Sequence, residues 1–470
     1  MARRWVLSTT AAVMTGALVA TTAGAAPPAA RPGAAGMGDP YFPQYGNGGY
    51  DAKHYQLTLR LQPKTGVLTG QATITAATTQ ALSAFNLDLT GLTLDAVTVD
   101  GAPARTARRG AELTVTPARA LPAGTTFTVV ARYHGVPKLY HSALTGTGGW
   151  FRTPNGVVVA GEPEAAASWF PVNDHPRDKA TYSFAVTVPK GTTALANGVP
   201  GKVTTTNGWT TFAYAEKSPM ASYLATIVVG KFAVQRSTHR GLPVLLASDR
   251  GAEKLKKSAL QQTTAAVDFL STLWGPYPFD AIGGIEASVP KGAMTFALEN
   301  QTRPIYPTMA DPETVLHENA HQWFGDSVSV ANWRDVWLNE GFATYSEWLW
   351  SEAKHGQSTD AQFREYYNDP PLPNQFWKSK VADPGAAKLF DPSIVYTRGA
   401  MSLHALRRTV GDDTFYAIAR QWLQAHRDGN GSTASFIALA SKVAKRDLSP
   451  LLRAWLYGTT RPANPLAGRG

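Results

Sequence analysis

Alternation of apolar and polar residues dominates the first half of the chain. Tyr55, Leu57, Leu59 and Leu61 alternate with polar partners, as do Phe85, Leu87 and Leu89, and later Tyr182, Phe184, Val186 and Val188. A period of two sends successive side chains to opposite faces, the pattern of strands with one buried side. Asp100-Gly101 and Asn207-Gly208 separate such runs with pairs suited to tight hairpin turns. Residues 46–238 therefore predict an antiparallel β domain, curved or sandwiched. Beyond about residue 240 the period becomes helical: Leu255, Ala259, Ala266, Phe269, Leu270 and Leu273 form one apolar stripe that stops at Gly275-Pro276. A second helix is expected from Asp311-Pro312, an N-cap followed by proline at the first helical position. Others are expected near 338–354, 396–410, 413–427, 433–444 and 449–457. The fold class is α+β and multidomain, with a mainly helical domain over 239–470.

The first 25 residues read differently. Arg3 and Arg4 precede an apolar stretch from Trp5 to Ala20, and Ala23-Gly24-Ala25 is a small-residue cleavage site. That is the build of a signal peptide; the stretch is short for a membrane anchor and is interrupted by Thr and Gly. The paired arginines fit both a general secretory and a twin-arginine route. The expected product is secreted, begins at Ala26 and keeps no stable membrane span after processing. Residues 26–45, rich in Ala, Pro and Gly, are expected to be a flexible linker.

Cysteine is absent, which excludes disulfides, thiolate metal sites and cysteine nucleophiles. An exported chain of this kind relies on core packing and bound metal for stability. The net charge of +10 is spread out, in small clusters such as Arg105 to Arg109, without the aromatic interleaving of a nucleic-acid platform. It predicts a solvated basic surface and no nucleic-acid partner.

Candidate chemistry concentrates on the helix expected after Asp311. His317-Glu318-Asn319-Ala320-His321 is an H-E-x-x-H motif. Residues four apart on a helix share a face, so both imidazoles reach one ion while Glu318 stands to one side of it. Glu340, in Trp337-Leu338-Asn339-Glu340-Gly341 on the next expected helix, is the candidate third ligand. Two histidines and a carboxylate leave a fourth position open, as catalytic rather than structural zinc requires, so one Zn2+ per chain is expected. Zinc acidifies a water to a pKa of about 7. Glu318 is the candidate base that takes the water's proton and passes it to a leaving amine.

H-E-x-x-H, 18 residues, then Glu340 within Asn339-Glu340-Gly341-Phe342-Ala343 resembles the signature of gluzincins of the M1 aminopeptidase family. Glu162-Pro163, followed by Phe170-Pro171-Val172-Asn173-Asp174-His175-Pro176, is similar to the family's E-P…F-P-x-x-D-x-P segment. Phe296-Ala297-Leu298-Glu299-Asn300 is similar to its G-A-M-E-N motif, and Val395-Tyr396-Thr397-Arg398-Gly399-Ala400 to its catalytic-tyrosine segment. These matches cover roughly residues 45–460 and resemble a short, two-domain member. The resemblance implies a thermolysin-like zinc catalytic domain and hydrolysis of the N-terminal peptide bond of peptides with a free N-terminus. It implies that Glu299 and Glu162 hold the substrate's α-amino group, that Ala297 contacts substrate, and that Tyr396 donates to the oxyanion. Asn339 is implied as a support for a zinc histidine. Two carboxylates facing an ammonium would also fix the scissile bond one residue from the chain end.

Phe296 replaces the motif glycine, which predicts a narrowed or reshaped first substrate pocket. Ala160 and Ala167 stand where many relatives have glutamine and arginine. Larger members continue past the segment matching Trp455-Leu456-Tyr457-Gly458, so a more open substrate entry is expected here. Trp323, Phe324, Trp333 and Trp337 are expected to pack around the zinc helices. The alternatives to a secreted aminopeptidase are epoxide hydrolase-like or endopeptidase activity at the same zinc site, or an inactive protein that binds peptides or envelope polymers.

Overall fold

The computed structural model describes residues 1–2, 5, 7, 29–142, 146–290, 292–307 and 309–467; the signal peptide expected over 1–25 falls almost entirely outside them. Among the described residues no helix is long and apolar enough to cross a membrane.

The alternating segments around Tyr55 and Tyr182 build one eight-stranded sheet, while that of Phe85 and Leu87 joins a separate four-stranded one. Tyr50–Gln62 pairs antiparallel with Val67–Thr78, Leu57 opposite Ala72, and Thr126–Gly135 continues on the far side. Ala180–Pro189 joins the near side in the sheet's one parallel pairing among the described residues, with Tyr182 opposite Tyr55. Trp209–Met220 and Val199–Thr206 follow it as antiparallel strands. Tyr55, Leu57, Leu59 and Leu61 are buried, as are Tyr182, Phe184, Val186 and Val188. Both expected hairpin turns carry positive φ at their two central residues, 48° and 79° at Asp100-Gly101 and 50° and 78° at Asn207-Gly208. A second sheet of five strands contains the wholly buried Gly156–Ala160. Glu162 follows directly after it.

The segment expected to be a flexible linker is packed from residue 29 onward. Arg31–Pro32 pairs with Leu82–Asp88, and Phe42 is buried against Tyr45. The buried Asp39 carboxylate accepts from the backbone N–H of Tyr41 at 2.8 Å, Phe42 at 3.1 Å and Trp333 at 2.8 Å. Composition misled here because Ala, Pro and Gly discourage helix and strand but leave a chain free to be tied down by one buried acceptor.

The change of period near residue 240 does not coincide with a change from strand to helix. Ala233–His239 pairs with Leu242–Ser248, which runs parallel to Ile282–Glu286, and Ile305–Tyr306 completes a four-stranded sheet. These strands are short and buried, a pattern that periodicity cannot separate from helix. The single stripe from Leu255 to Leu273 is split into Ala252–Lys257, a 3-10 turn Ala259–Gln262 and Thr263–Trp274. Ser258 makes the break: its hydroxyl accepts from Leu260 N–H and donates to Glu286. Thr359–Asn368, capped by Ser358, is a helix absent from the sequence reading because only Thr359, Phe363 and Tyr367 are buried.

Two glycines set the spacing of the elements that matter most. A Cβ at Gly399 would lie 2.9 Å from Gly341 Cα, and one at Gly341 would lie 3.0 Å from the Gly399 backbone. Helix Trp337–Ala353 therefore crosses the start of Arg398–Val410 backbone to backbone. The β half is tied to the helical half by Lys179, which donates to the Asp326 and Ser327 carbonyls at 2.6 and 2.9 Å. Arg177 adds the Ala331 carbonyl at 2.8 Å and Asn332 Oδ1 at 2.6 Å.

Asp39 and His175 sit in this junction, 3.4 Å apart and buried. His175 Nδ1 accepts from Arg177 N–H, which leaves Nε2–H to face Asp39 and describes a neutral ring. Burial pushes Asp39 up, but hydrogen bonds from His175, Trp333, Tyr41 and Phe42 outweigh it and hold the carboxyl below its ordinary value. Burial lowers His175 in spite of Asp39. Both folded values lie below the unfolded ones, so this stability is present at neutral pH. It is lost as pH falls below about 6.5 through His175 and below about 3.9 through Asp39. Asp39→Ala is expected to cost about 2 kcal/mol, read by denaturant unfolding at pH 7. His175→Gln should flatten the loss of thermal stability between about pH 6.5 and 5; an unchanged acid slope would count against this assignment.

Candidate active site

Helix Pro312–Ala320 begins where its sequence requires. Asp311 accepts from Glu313 and Thr314 N–H at 3.1 and 2.9 Å, and Pro312 opens the first turn. His317 lies in the last turn, and His321 follows it with helical φ −59° and ψ −25°, so the four-residue spacing keeps both rings on one face. Their ring centroids are 4.8 Å apart. Glu340 enters from the first turn of Trp337–Ala353, and its Oε2 lies 3.3 Å from Nε2 of His317 and 3.3 Å from Nε2 of His321. That separation is the edge of a tetrahedron whose corners lie about 2.0–2.1 Å from its centre, the distance of zinc from such ligands. The donor set of His317, His321 and Glu340 fits zinc.

The outward nitrogens are also occupied. His317 Nδ1 is hydrogen-bonded to Glu347, and His321 Nδ1 to the Phe324 carbonyl at 3.0 Å. Each ring donates from Nδ1 and turns the Nε2 lone pair inward. Asn339 was expected to support a zinc histidine. It is buried, but neither imidazole bonds to it, and Glu347 and Phe324 take that place. The helix places Glu347 two turns beyond Glu340 on the same face, a spacing of seven residues that was available in the sequence.

Around the donor set lies an excess of buried acid. Glu299 is 2% exposed and accepts from the Tyr223 hydroxyl at 3.0 Å. Among the described residues Glu162 Oε1 is buried without a hydrogen-bond partner, as are both carboxylate oxygens of Asp326. Burial first, then Glu299, Glu340 and Glu318, push Glu162 well above the ordinary carboxylate range. Burial pushes Glu318 to about 8 against the pull of His317 and His321. Glu340 alone is held down, at about 2, because the charges and hydrogen bonds of His321 and His317 outweigh its burial. Tyr223 and Asp326 carried no motif, and only the fold brings them to the site.

Tyr396 occupies a π-helical turn, Pro392–Thr397, ahead of Arg398–Val410, and its ring stacks on His317 at 6.0 Å and 13°. Burial and the nearby carboxylates of Glu340 and Glu162 raise its pKa well above 10, so the hydroxyl keeps its proton and remains a donor. Phe296 and Ala297 line a pocket of about 160 Å³ with Met294, Tyr306 and Thr314; Glu162 and Glu299 do not border it. Trp323, Phe324, Trp333 and Trp337 are all buried.

A helix-borne H-E-x-x-H pair completed by glutamate from the following helix, behind a β domain, defines a zinc metallopeptidase. Residues 51–224 match the Peptidase M1 N-terminal domain and residues 293–455 the Peptidase family M1 domain. The chain is 30% identical to the M1 zinc metallopeptidase of Deinococcus radiodurans, with a TM-score of 0.84 over 92% of this chain and 98% of that one. A mutant of that protein was solved with a Tyr-Ser-Ala substrate bound. The protein belongs to the M1 family of zinc metallopeptidases. It is also 26% identical, over 66% of its length, to the glutamyl aminopeptidase of Rattus norvegicus and to the leucyl aminopeptidase of Saccharolobus solfataricus. It spans only 35% and 42% of those relatives.

Glu347→Ala should lower zinc affinity about 10- to 100-fold by freeing the His317 ring, measured by competition with a chromogenic chelator. Equal affinity in variant and wild type would remove Glu347 from the zinc support.

Proposed function

We propose that this chain is an exported zinc aminopeptidase that removes the first residue of peptides. The observation that carries this reading is the carboxylate pair of half-buried Glu162 and buried Glu299 beside the metal donors, with the buried Glu162 Oε1 lacking a partner among the described residues. A free ammonium satisfies such a pair with charge-assisted hydrogen bonds; an acylated nitrogen does not. The aminopeptidase names of the relatives and the tripeptide held by the Deinococcus mutant point the same way. Export rests on the paired arginines, apolar stretch and cleavage site at the start of the chain.

Zinc, when bound to His317, His321 and Glu340, supplies Lewis acidity toward the attacking water and the scissile carbonyl. Glu162 and Glu299 anchor the amine and so place the first peptide bond beside Glu318. Glu318 takes the proton of the attacking water and returns it to the leaving amine. Tyr396, held protonated, donates to the oxygen that gains charge. Glu347 and the Phe324 carbonyl keep both imidazoles in the tautomer that points Nε2 inward.

Glu318→Gln should keep its zinc by metal analysis and lose turnover of aminoacyl amides by about 10²- to 10⁴-fold. The wild type should leave N-acetylated peptides intact while trimming the free ones, and Glu162→Ala should narrow that difference. Equal cleavage of acetylated and free peptide by the wild type would refute the aminopeptidase reading.

A further inference from the structure

Beyond His317 and Glu318 the site opens into a trough of about 510 Å³, lined by Asp311, Glu313, Thr314, His317, Glu318 and Glu347. Neither Glu162 nor Glu299 borders it. A peptide whose amine is held by that pair and whose first bond lies at Glu318 sends the rest of its chain through this trough. Among the described residues its lining holds no lysine or arginine, on a protein of net charge +10. The local field is thus opposite in sign to that of the whole molecule, and a concave wall concentrates it.

The three outer carboxylates differ in what they are free to do. Asp311 is engaged in capping its helix, and Glu347 gives one oxygen to His317. Glu313 is exposed, and its carboxylate makes no hydrogen bond or ion pair among the described residues. Glu318, 6% exposed, borders the same trough. Burial and the neighbouring Glu347 and Asp311 charges raise Glu313 above its ordinary value against the pull of His317. The pocket containing Phe296, Ala297 and Pro307 meets the trough at Asp311 and Thr314. A long side chain can lay its methylenes there and keep a charged end among the acids.

We propose that Glu313, supported by Asp311 and Glu347, selects peptides whose second residue is lysine or arginine. The inference rests on the aminopeptidase reading, since it takes the amine anchor as the fixed point of the substrate.

The test uses the zinc-loaded protein and three tripeptides with a common first residue and lysine, alanine or glutamate second. Each kcat/KM is normalised to the chromogenic amide of that first residue, which carries no second side chain. The expected order is lysine, alanine, glutamate, with a lysine-to-glutamate ratio of about fivefold or more at low salt that shrinks at high salt. Glu313→Gln should reduce that ratio and Glu313→Lys should abolish or invert it. A wild type that turns over the amide but ranks lysine and glutamate alike overturns this inference alone, as does a ratio unmoved by Glu313→Lys. A wild type inactive on the amide brings down the aminopeptidase reading and this inference with it.

Discussion

Glu162, Glu299, Glu318, Glu340 and Asp326 lie near one another with little exposure, opposed by two imidazoles and, beside Asp326, by Lys179. Removing a carboxylate from water costs on the order of several kcal/mol, and crowding five together adds repulsion to that cost. A fold keeps such a cluster only where positive charge arrives from outside. A divalent metal answers Glu340 and the histidines, and in the proposed function an ammonium answers Glu162 and Glu299. The partnerless oxygens of Glu162 and Asp326 thus describe a site completed by what it binds.

That completion requires two parts of the chain to stay in register. Glu162 follows a strand of the β half, whereas Glu299, His317 and Glu340 come from the helical half. Lys179, Arg177 and Asp39 fasten the β half to the stretch between His321 and Trp333 through backbone groups. Backbone anchoring fixes position without depending on partner side chains, and a displacement of about 1 Å is enough to spoil catalytic geometry. The contact of Gly341 with Gly399 does the same for Glu340 and Tyr396, since each lies within three residues of one of these glycines.

Much of the metal site was legible because it is local. Asp311, Pro312, His317, Glu318 and His321 belong to one helix, where spacing alone sets which side chains share a face. Glu340 was legible from its place at the start of the next helix, and its partner Glu347 was available by the same periodicity. Tyr223 and Asp326 were not, because nothing in their neighbourhood announces a partner far away in sequence. Asn339 was assigned by adjacency to Glu340, but the helix turns the residue before a ligand to a different side. Residues 29–45 went astray through composition, since a single acceptor, Asp39, orders them.

The chain's own order of residues determined the alternating β half, the helical caps, the absence of thiol chemistry and the identity of the zinc donors. Those properties depend on neighbours a few positions apart, where covalent geometry dictates direction. Tertiary structure alone decided how Glu162 meets Glu299, which groups turn the imidazoles, where Phe296 lies, and which wall of the site carries unanswered acid. Each of these joins segments separated by tens to hundreds of residues, and only packing fixes which of many possible encounters occurs.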